Sequence, residues 1–278
     1  MKIIVAMAGT GNRFVDAGYS NPKPLIEANN KKLIEYIVEM FDIDDDEFVF
    51  ICNESHMKST NMLNILNKLV KNINIVTINN HKLGPVHTVN QALDHIKDDE
   101  EVIITYCDNP YIWNFDHFKT YVKNNKLDGC ILSHIGFHPH RLSSTYMAYM
   151  RVQDNLVLEV KEKEPYTKNH LLEPASTGTY YFRKGSYIKK YFKQCVDENI
   201  NFNGEYYVTL VYNLLIRDKL KVGVYNTDLV TVFGTPDELE NFEAWCTIIK
   251  GSQVKNEEDL IDCYNYWKRY NAHAASSH

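Results

Sequence analysis

The chain has 278 residues, which at roughly 150 per domain allows one large domain or two small ones. Its 30 Lys and Arg against 36 Asp and Glu leave a net charge of −6 with no block of one sign, which excludes a sequence-independent nucleic-acid binder with a basic face. A hydrophobic fraction of 44% suffices for a core, and no apolar run approaches the roughly 18 residues of a membrane span.

Short, β-branched, nearly continuous apolar runs alternate with helical spacing. Ile3 to Met7, Glu47 to Cys52, Ile73 to Ile78, Val102 to Tyr106 and Gly129 to Ile135 predict strands buried on both faces. Between them, Leu33 to Phe41, Met57 to Val70, Thr88 to Ile96 and Phe115 to Asn125 predict helices. This order implies an α/β protein, Rossmann-like, with a mixed, mainly parallel central sheet flanked by helices. After Ile135 come strands at Tyr146 to Val152, Leu156 to Val160 and Thr177 to Arg183, the first two joined by a hairpin at Asp154-Asn155. Helices at Ser186 to Glu198 and Tyr206 to Arg217 follow, then strands at Leu220 to Tyr225 and Leu229 to Phe233. From Pro236 the pattern is helical, through Trp245 and again from Tyr264 to Tyr270. Residues 1–242 are expected to form one domain and 243–278 a helical C-terminal extension. With Trp245, Tyr264 and Trp267, that extension packs on the same domain or, alternatively, pairs two copies as a homodimer.

Cys52, Cys107, Cys130, Cys195, Cys246 and Cys263 form no C-x-x-C pair and no zinc spacing. Met1 to Met7 is too short and too soon followed by glycine for a signal peptide. The expectation is a reduced, cytoplasmic chain without structural metal and without a membrane partner.

The chemistry concentrates at strand ends. Ala8-Gly9-Thr10-Gly11-Asn12-Arg13-Phe14 follows the first strand, and two glycines there let backbone N–H groups approach a phosphate. Phe14 stands where the dinucleotide fingerprint has its third glycine, and no P-loop is present. Lys23, in Asn21-Pro22-Lys23-Pro24-Leu25, is clamped between prolines that restrict the backbone on both sides. With Arg13 and the glycine turn it makes an electropositive pocket for a triphosphate; a plain tight turn is the alternative. Leu83-Gly84-Pro85-Val86-His87-Thr88 opens a helix with free backbone donors. Asp108 ends a central strand, where open α/β sheets bind ligands, and a carboxylate there suits Mg2+. Around Glu159 to Pro165, alternation puts Lys161 and Lys163 on one face and Glu162 on the other. Gly178, in Ser176 to Phe182, permits close approach of a ligand. Glu205, in Asn203 to Val208, enters a helix and complements its dipole.

The stretch M-A-G-T-G-N-R-F…G-Y-S-N-P-K-P-L-I, from Met7 to Ile26, resembles the signature of the sugar-phosphate nucleotidyltransferases, the sugar-nucleotide pyrophosphorylase family. Its style is that of members from bacterial capsule and surface-polysaccharide clusters. The resemblance implies the nucleotide-diphospho-sugar transferase fold, a nucleoside triphosphate and a phosphorylated small molecule as partners, Mg2+ as cofactor, and release of pyrophosphate. By family style the triphosphate is CTP. The resemblance assigns Ala8, Gly9 and Gly11 to the nucleotide phosphates and Arg13 and Lys23 to their charge. Gly84, Pro85 and Thr88 fall to the nucleotide as well, the Gly84 segment reading the base edge, and Asp108 to the metal. It places Lys163 on the acceptor phosphate, with Glu162, Gly178 and Glu205 around the acceptor.

Val232-Phe233-Gly234-Thr235-Pro236 is similar to the family's W-x-D-T-G-T-P, with Val232 at the position of a second metal carboxylate. Glu205, or alternatively Asp228, is expected to substitute. Glu164 intervenes before Pro165, which leaves Lys161 as an alternative to Lys163. Met147 stands where sugar-specific members have glycine, so a nonstandard acceptor is expected. A glycosyltransferase on a related sheet and a non-catalytic nucleotide sensor are the rival readings. His134, His138 and His140 are expected to be separate, solvated loop residues, and Asp44 to Glu47 a solvated turn.

Overall fold

The computed structural model describes residues 1–136, 138–141 and 145–251. In chain order its elements are β1 (Lys2–Met7), α1 (Asn12–Asp16), β2 (Glu27–Ala28), β3 (Lys31–Lys32), α2 (Leu33–Val38), β4 (Glu47–Asn53), α3 (Glu54–Ser59), α4 (Met62–Leu69), β5 (Ile73–Ile78), α5 (Pro85–Asn90), β6 (Val102–Tyr106) and α6 (Phe115–Asn124). Then follow β7 (Gly129–His134), β8 (Ala148–Gln153), β9 (Leu156–Glu162), β10 (Ala175–Phe182), α7 (Gly185–Asp197), α8 (Val208–Arg217), β11 (Val222–Asn226) and α9 (Pro236–Gly251). Among the described residues the main sheet has nine strands in the order β5-β4-β1-β6-β10-β7-β11-β9-β8. The first four are mutually parallel, and β10 runs antiparallel to both β6 and β7. The chain winds outward from β1 in both directions, so the order reverses between β1 and β6. That switch point opens a crevice beyond their C-terminal ends.

Alternate side chains of each strand feed a core on each face, as the two-residue period requires. Ile4, Val49, Ile104, Ile131 and Phe182 pack against α5, α7 and α8, while Ile3, Val5, Phe50, Ile103 and Leu132 pack against α2, α4 and α6. A smaller cluster of Phe14, Ile26, Leu33, Phe233, Leu239 and Phe242 fastens α9 beside the glycine turn. α9 runs without a break across the expected boundary at residue 242; Tyr264, Trp267 and the Trp245 side chain lie outside what is described.

Several expected elements differ. The helix expected over Met57 to Val70 is two, because the Thr60 hydroxyl donates to His56 O at 2.8 Å and accepts from Met62 N at 3.3 Å, ending α3 and starting α4. The helix expected from Thr88 to Ile96 starts earlier, at Pro85, and gives way to a 3-10 turn at Leu93–His95. Leu229 to Phe233 is not a strand. Phe233 N bonds Asp108 O and Thr231 N bonds Pro110 O, but Pro110 has no N–H to return, and only an isolated bridge between Tyr111 and Val230 forms. Asp46, expected in a solvated turn, is buried and holds the Met1 ammonium at 3.0 Å.

The three histidines are neither separate nor solvated. His134 and His138 are buried, and the His134 ring lies 4.6 Å from that of His138 and 5.3 Å from that of His140. The cause is Arg141, itself buried, which folds this turn back by donating to the carbonyls of His134, Leu171, His170 and Glu173. Burial pushes His138 down to about 4 and His140 to about 3. Among the described residues no group of three or more His, Cys, Asp or Glu is arranged to hold a metal ion.

Candidate active site

The crevice at the ends of β1 and β6 is built from the glycine turn upward. Ala8 is buried and its carbonyl accepts from Asn53 Nδ2 at 3.1 Å, which pins the turn to the end of β4. Gly11 caps α1 with φ 66° and ψ 33°, a left-handed conformation natural to glycine. A Cβ on Gly11 would lie 3.2 Å from Lys23 Cβ, so the missing side chain is what admits the proline-flanked lysine against the turn. Lys23 leaves an extended Pro22 into a 3-10 turn, and its Nζ donates to Asp108 Oδ2 at 2.6 Å. Burial, the largest single influence, pulls the lysine pKa down; Asp108, Cys107 and Glu238 together outweigh it, and the net shift is upward. Turn, lysine and strand-tip carboxylate therefore share one cleft. Arg13 is exposed at its edge, its guanidinium 5.9 Å from the centroid of the Tyr146 ring.

The Gly84 turn lies on a second wall. Gly84 has φ 84°, and a Cβ there would meet Tyr206 N and O at 2.7 Å. Tyr206 N donates to Leu83 O at 2.9 Å and Val86 N to Tyr206 O at 3.0 Å. Thr88 Oγ1 meets His81 Nε2 at 3.1 Å, while His81 Nδ1 accepts from Leu83 N at 3.2 Å. With Nδ1 accepting, the ring proton rests on Nε2. Burial, helped by His87, lowers the His81 pKa and favours that neutral ring.

Across the cleft, β9 ends at Glu162. Glu162 is buried, accepts from Thr209 Oγ1 at 2.6 Å, and is raised by burial to about 7. Lys163 does not share the face of Lys161. Its backbone turns left-handed, at φ 59°, with its N–H held by Met147 O at 3.0 Å. Its Nζ then donates to Tyr207 OH at 2.5 Å, and Tyr207 OH donates to Glu205 Oε2 at 2.5 Å. Lys161 instead pairs with Glu164 at 2.7 Å on the surface. Glu205 thus faces Tyr207 and Lys163. Gly178 sits in a bulge of β10 at φ 84°, and the space its side chain would need holds the Tyr106 ring and the Asn109 amide. Asn53, His81, Tyr207 and Glu238 are shaping residues that the sequence reading did not single out. Only Tyr207 had a local signal, its place two residues after Glu205.

Fold and cleft have the form of an α/β nucleotide-binding protein. Residues 2–206 match the family model described as nucleotidyl transferase, and the chain belongs to that family. A relative, the Bifunctional protein GlmU of Staphylococcus epidermidis, is 24% identical over 249 residues, covering 87% of this chain and 51% of that protein. The chain spans about half the length of the curated relatives it matches. A nucleoside-diphosphate-sugar pyrophosphorylase from Vibrio cholerae superposes with a TM-score of 0.71 at 21% identity, covering 87% of this chain and 99% of that one. The inositol-1-phosphate CTP transferase from T. maritima does so with 0.67 at 15%, covering 90% and 96%. These likenesses show the expected fold. Among the described residues no helix is long and apolar enough to cross a membrane.

Proposed function

We propose that the chain transfers a nucleoside monophosphate from a nucleoside triphosphate, CTP by preference, to a phosphorylated small molecule, making a cytoplasmic precursor for surface polysaccharide. The observation that carries this reading is the contact of Gly11, Lys23 and Asp108 in one crevice at the switch point. An acceptor phosphate oxygen attacks the α-phosphorus; the new P–O bond forms as the bond to the β-phosphate oxygen breaks, and pyrophosphate leaves. Positioning and charge neutralisation carry such a step. Backbone N–H groups of the Gly9–Gly11 turn, with Arg13 and Lys23, hold the triphosphate. Gly84, Pro85 and Thr88 present the base-facing turn, and Lys163, fixed by Tyr207, holds the nucleophilic phosphate.

Asp108 Oδ1 is buried without a hydrogen-bond partner, a hard oxygen donor that fits Mg2+ beside substrate phosphates. When bound there, the ion would add charge stabilisation at the phosphates. The test is a pyrophosphate-release screen of the common nucleoside triphosphates against phosphorylated polyols, amino acids, sugars and phosphonates. A CTP-dependent signal with one acceptor class supports the reading. Release of nucleoside diphosphate from a nucleotide sugar supports the glycosyltransferase rival, and triphosphate binding without turnover the sensor.

A further inference from the structure

Val232 gives the cleft an apolar side chain, buried among Val230 and Tyr111, where the resemblance implies a carboxylate. Among the described residues, the carboxylate oxygens that are buried without a hydrogen-bond partner are Asp108 Oδ1 and Glu238 Oε2. Both belong to this place. Phe233 N bonds Asp108 O at 2.7 Å, tying the Val232 segment to the end of β6. A Cβ on Gly234 would lie 2.9 Å from Glu238 Oε2 and 3.6 Å from Val232 Cγ1, so the free oxygen of Glu238 stands beside the Val232 side chain. Both carboxylates act on Lys23, which pairs with Asp108 at 2.6 Å and whose charge Glu238 also supports.

Helix capping accounts for Glu238 only in part. Glu238 N donates to Thr235 Oγ1 at 3.2 Å, the backbone half of an N-terminal capping box. That leaves Oε2 without a partner, and a buried acceptor left so is a place to look for a bound ion. We propose that Glu238 is the second carboxylate of the divalent-cation site, replacing the one absent at Val232, with Lys23 between it and Asp108 as the cation's competitor. The proposal rests on the nucleotidyltransfer reading.

Mn2+ binding to the full chain, read by the electron paramagnetic resonance of the free ion, tests it with and without each common nucleoside triphosphate and with no acceptor present. Glu238→Gln keeps the bond from the backbone N–H of residue 238 to Thr235 Oγ1, so a purely capping role predicts unchanged Mn2+ affinity. The proposal expects a loss of about tenfold or more, largely restored by adding Val232→Asp. Lys23→Met is expected to tighten Mn2+ binding in the absence of triphosphate. Unchanged affinity in Glu238→Gln, while Asp108→Asn abolishes binding, overturns the proposal and leaves the functional reading standing. A wild-type chain that binds neither Mn2+ nor any triphosphate overturns both.

Discussion

Lys23→Met keeps an unbranched stem against Gly11 and over Phe14 and deletes only the charge. Its effect on stability follows from the ion pair. Truncating one partner of a fully buried pair costs about 3–5 kcal/mol. Here the side chains of Lys23 and Asp108 retain 14% and 24% exposure, and that access to water reduces the expected cost to ~1–2 kcal/mol. Lys23 has its pKa raised above 10.5, so the pair's contribution is fully present below that value and is lost only as pH rises through the folded pKa. The cost should be flat between pH 6 and pH 9. Activity should fall much further. A charge that strengthens its contacts as the reaction proceeds is worth roughly 100- to 1000-fold in rate. Urea unfolding and initial rates of pyrophosphate release measure the two effects separately, and Asp108→Asn with the double variant closes a thermodynamic cycle. The reasoning fails if the two stability losses simply add, or if Lys23→Met retains more than a tenth of the wild-type rate.

Gly84→Ala forces a Cβ into the Tyr206 backbone at φ 84° and ψ 176°, a region essentially reserved for glycine. A loss of ~3 kcal/mol in stability is expected, with KM rising for triphosphate and acceptor together; a rise in one alone would show that the Tyr206 bonds do not link the two walls. Tyr207→Phe takes the hydroxyl partner from Lys163 but leaves the ring 4.5 Å from its Nζ. A hydrogen bond to a charge is worth about 1.5 kcal/mol at the low end, so acceptor KM should rise roughly tenfold with triphosphate KM unchanged; the opposite split would refute Lys163 as the acceptor's anchor. Glu162 has a folded pKa of about 7 against the usual 4.5. It therefore favours the fold below pH 4.5 and loses that contribution as pH rises through 7. At about 1.4 kcal/mol per pH unit, Glu162→Gln should gain up to ~3 kcal/mol on the wild type across that window in thermal unfolding. Parallel curves for the two proteins would mean that Glu162 is not held neutral.

The parallel half of the fold was legible because a strand buried on both faces writes a continuous apolar run, as β1, β4 and β6 do. The Gly9–Gly11 turn and Lys23 were legible for a related reason: glycines after a buried strand and prolines around a lysine act on the backbone next to them. Where a distant contact decides the conformation, the sequence was silent. Thr60 divides a helix through its hydroxyl, Pro110 denies a ladder to residues 229–233, and Arg141 gathers three histidines through carbonyls from two segments. Lys161 and Lys163 look equivalent by alternation, and only the left-handed turn held by Met147 O separates them.

The same distinction divides the cleft. Gly11 and Asp108 follow the ends of parallel strands and Lys23 opens a proline-flanked 3-10 turn, where local sequence fixes the backbone and little can vary without loss of the turn itself. Lys163, Glu205 and Tyr207 sit at the close of β9 and the entry to α8, where a hydroxyl, a carboxylate and an ammonium support one another. The two groups meet through the Tyr206 backbone at Gly84 and through Arg13 over Tyr146. On the proposed reading, side chains on the acceptor wall can change while the nucleotide wall keeps its geometry, because the Tyr206 link is made of backbone hydrogen bonds and places its steric demand on Gly84. Met147 illustrates the point: its carbonyl fixes Lys163 whatever its side chain is, so the residue there can reshape the acceptor space without moving the lysine that would hold the phosphate.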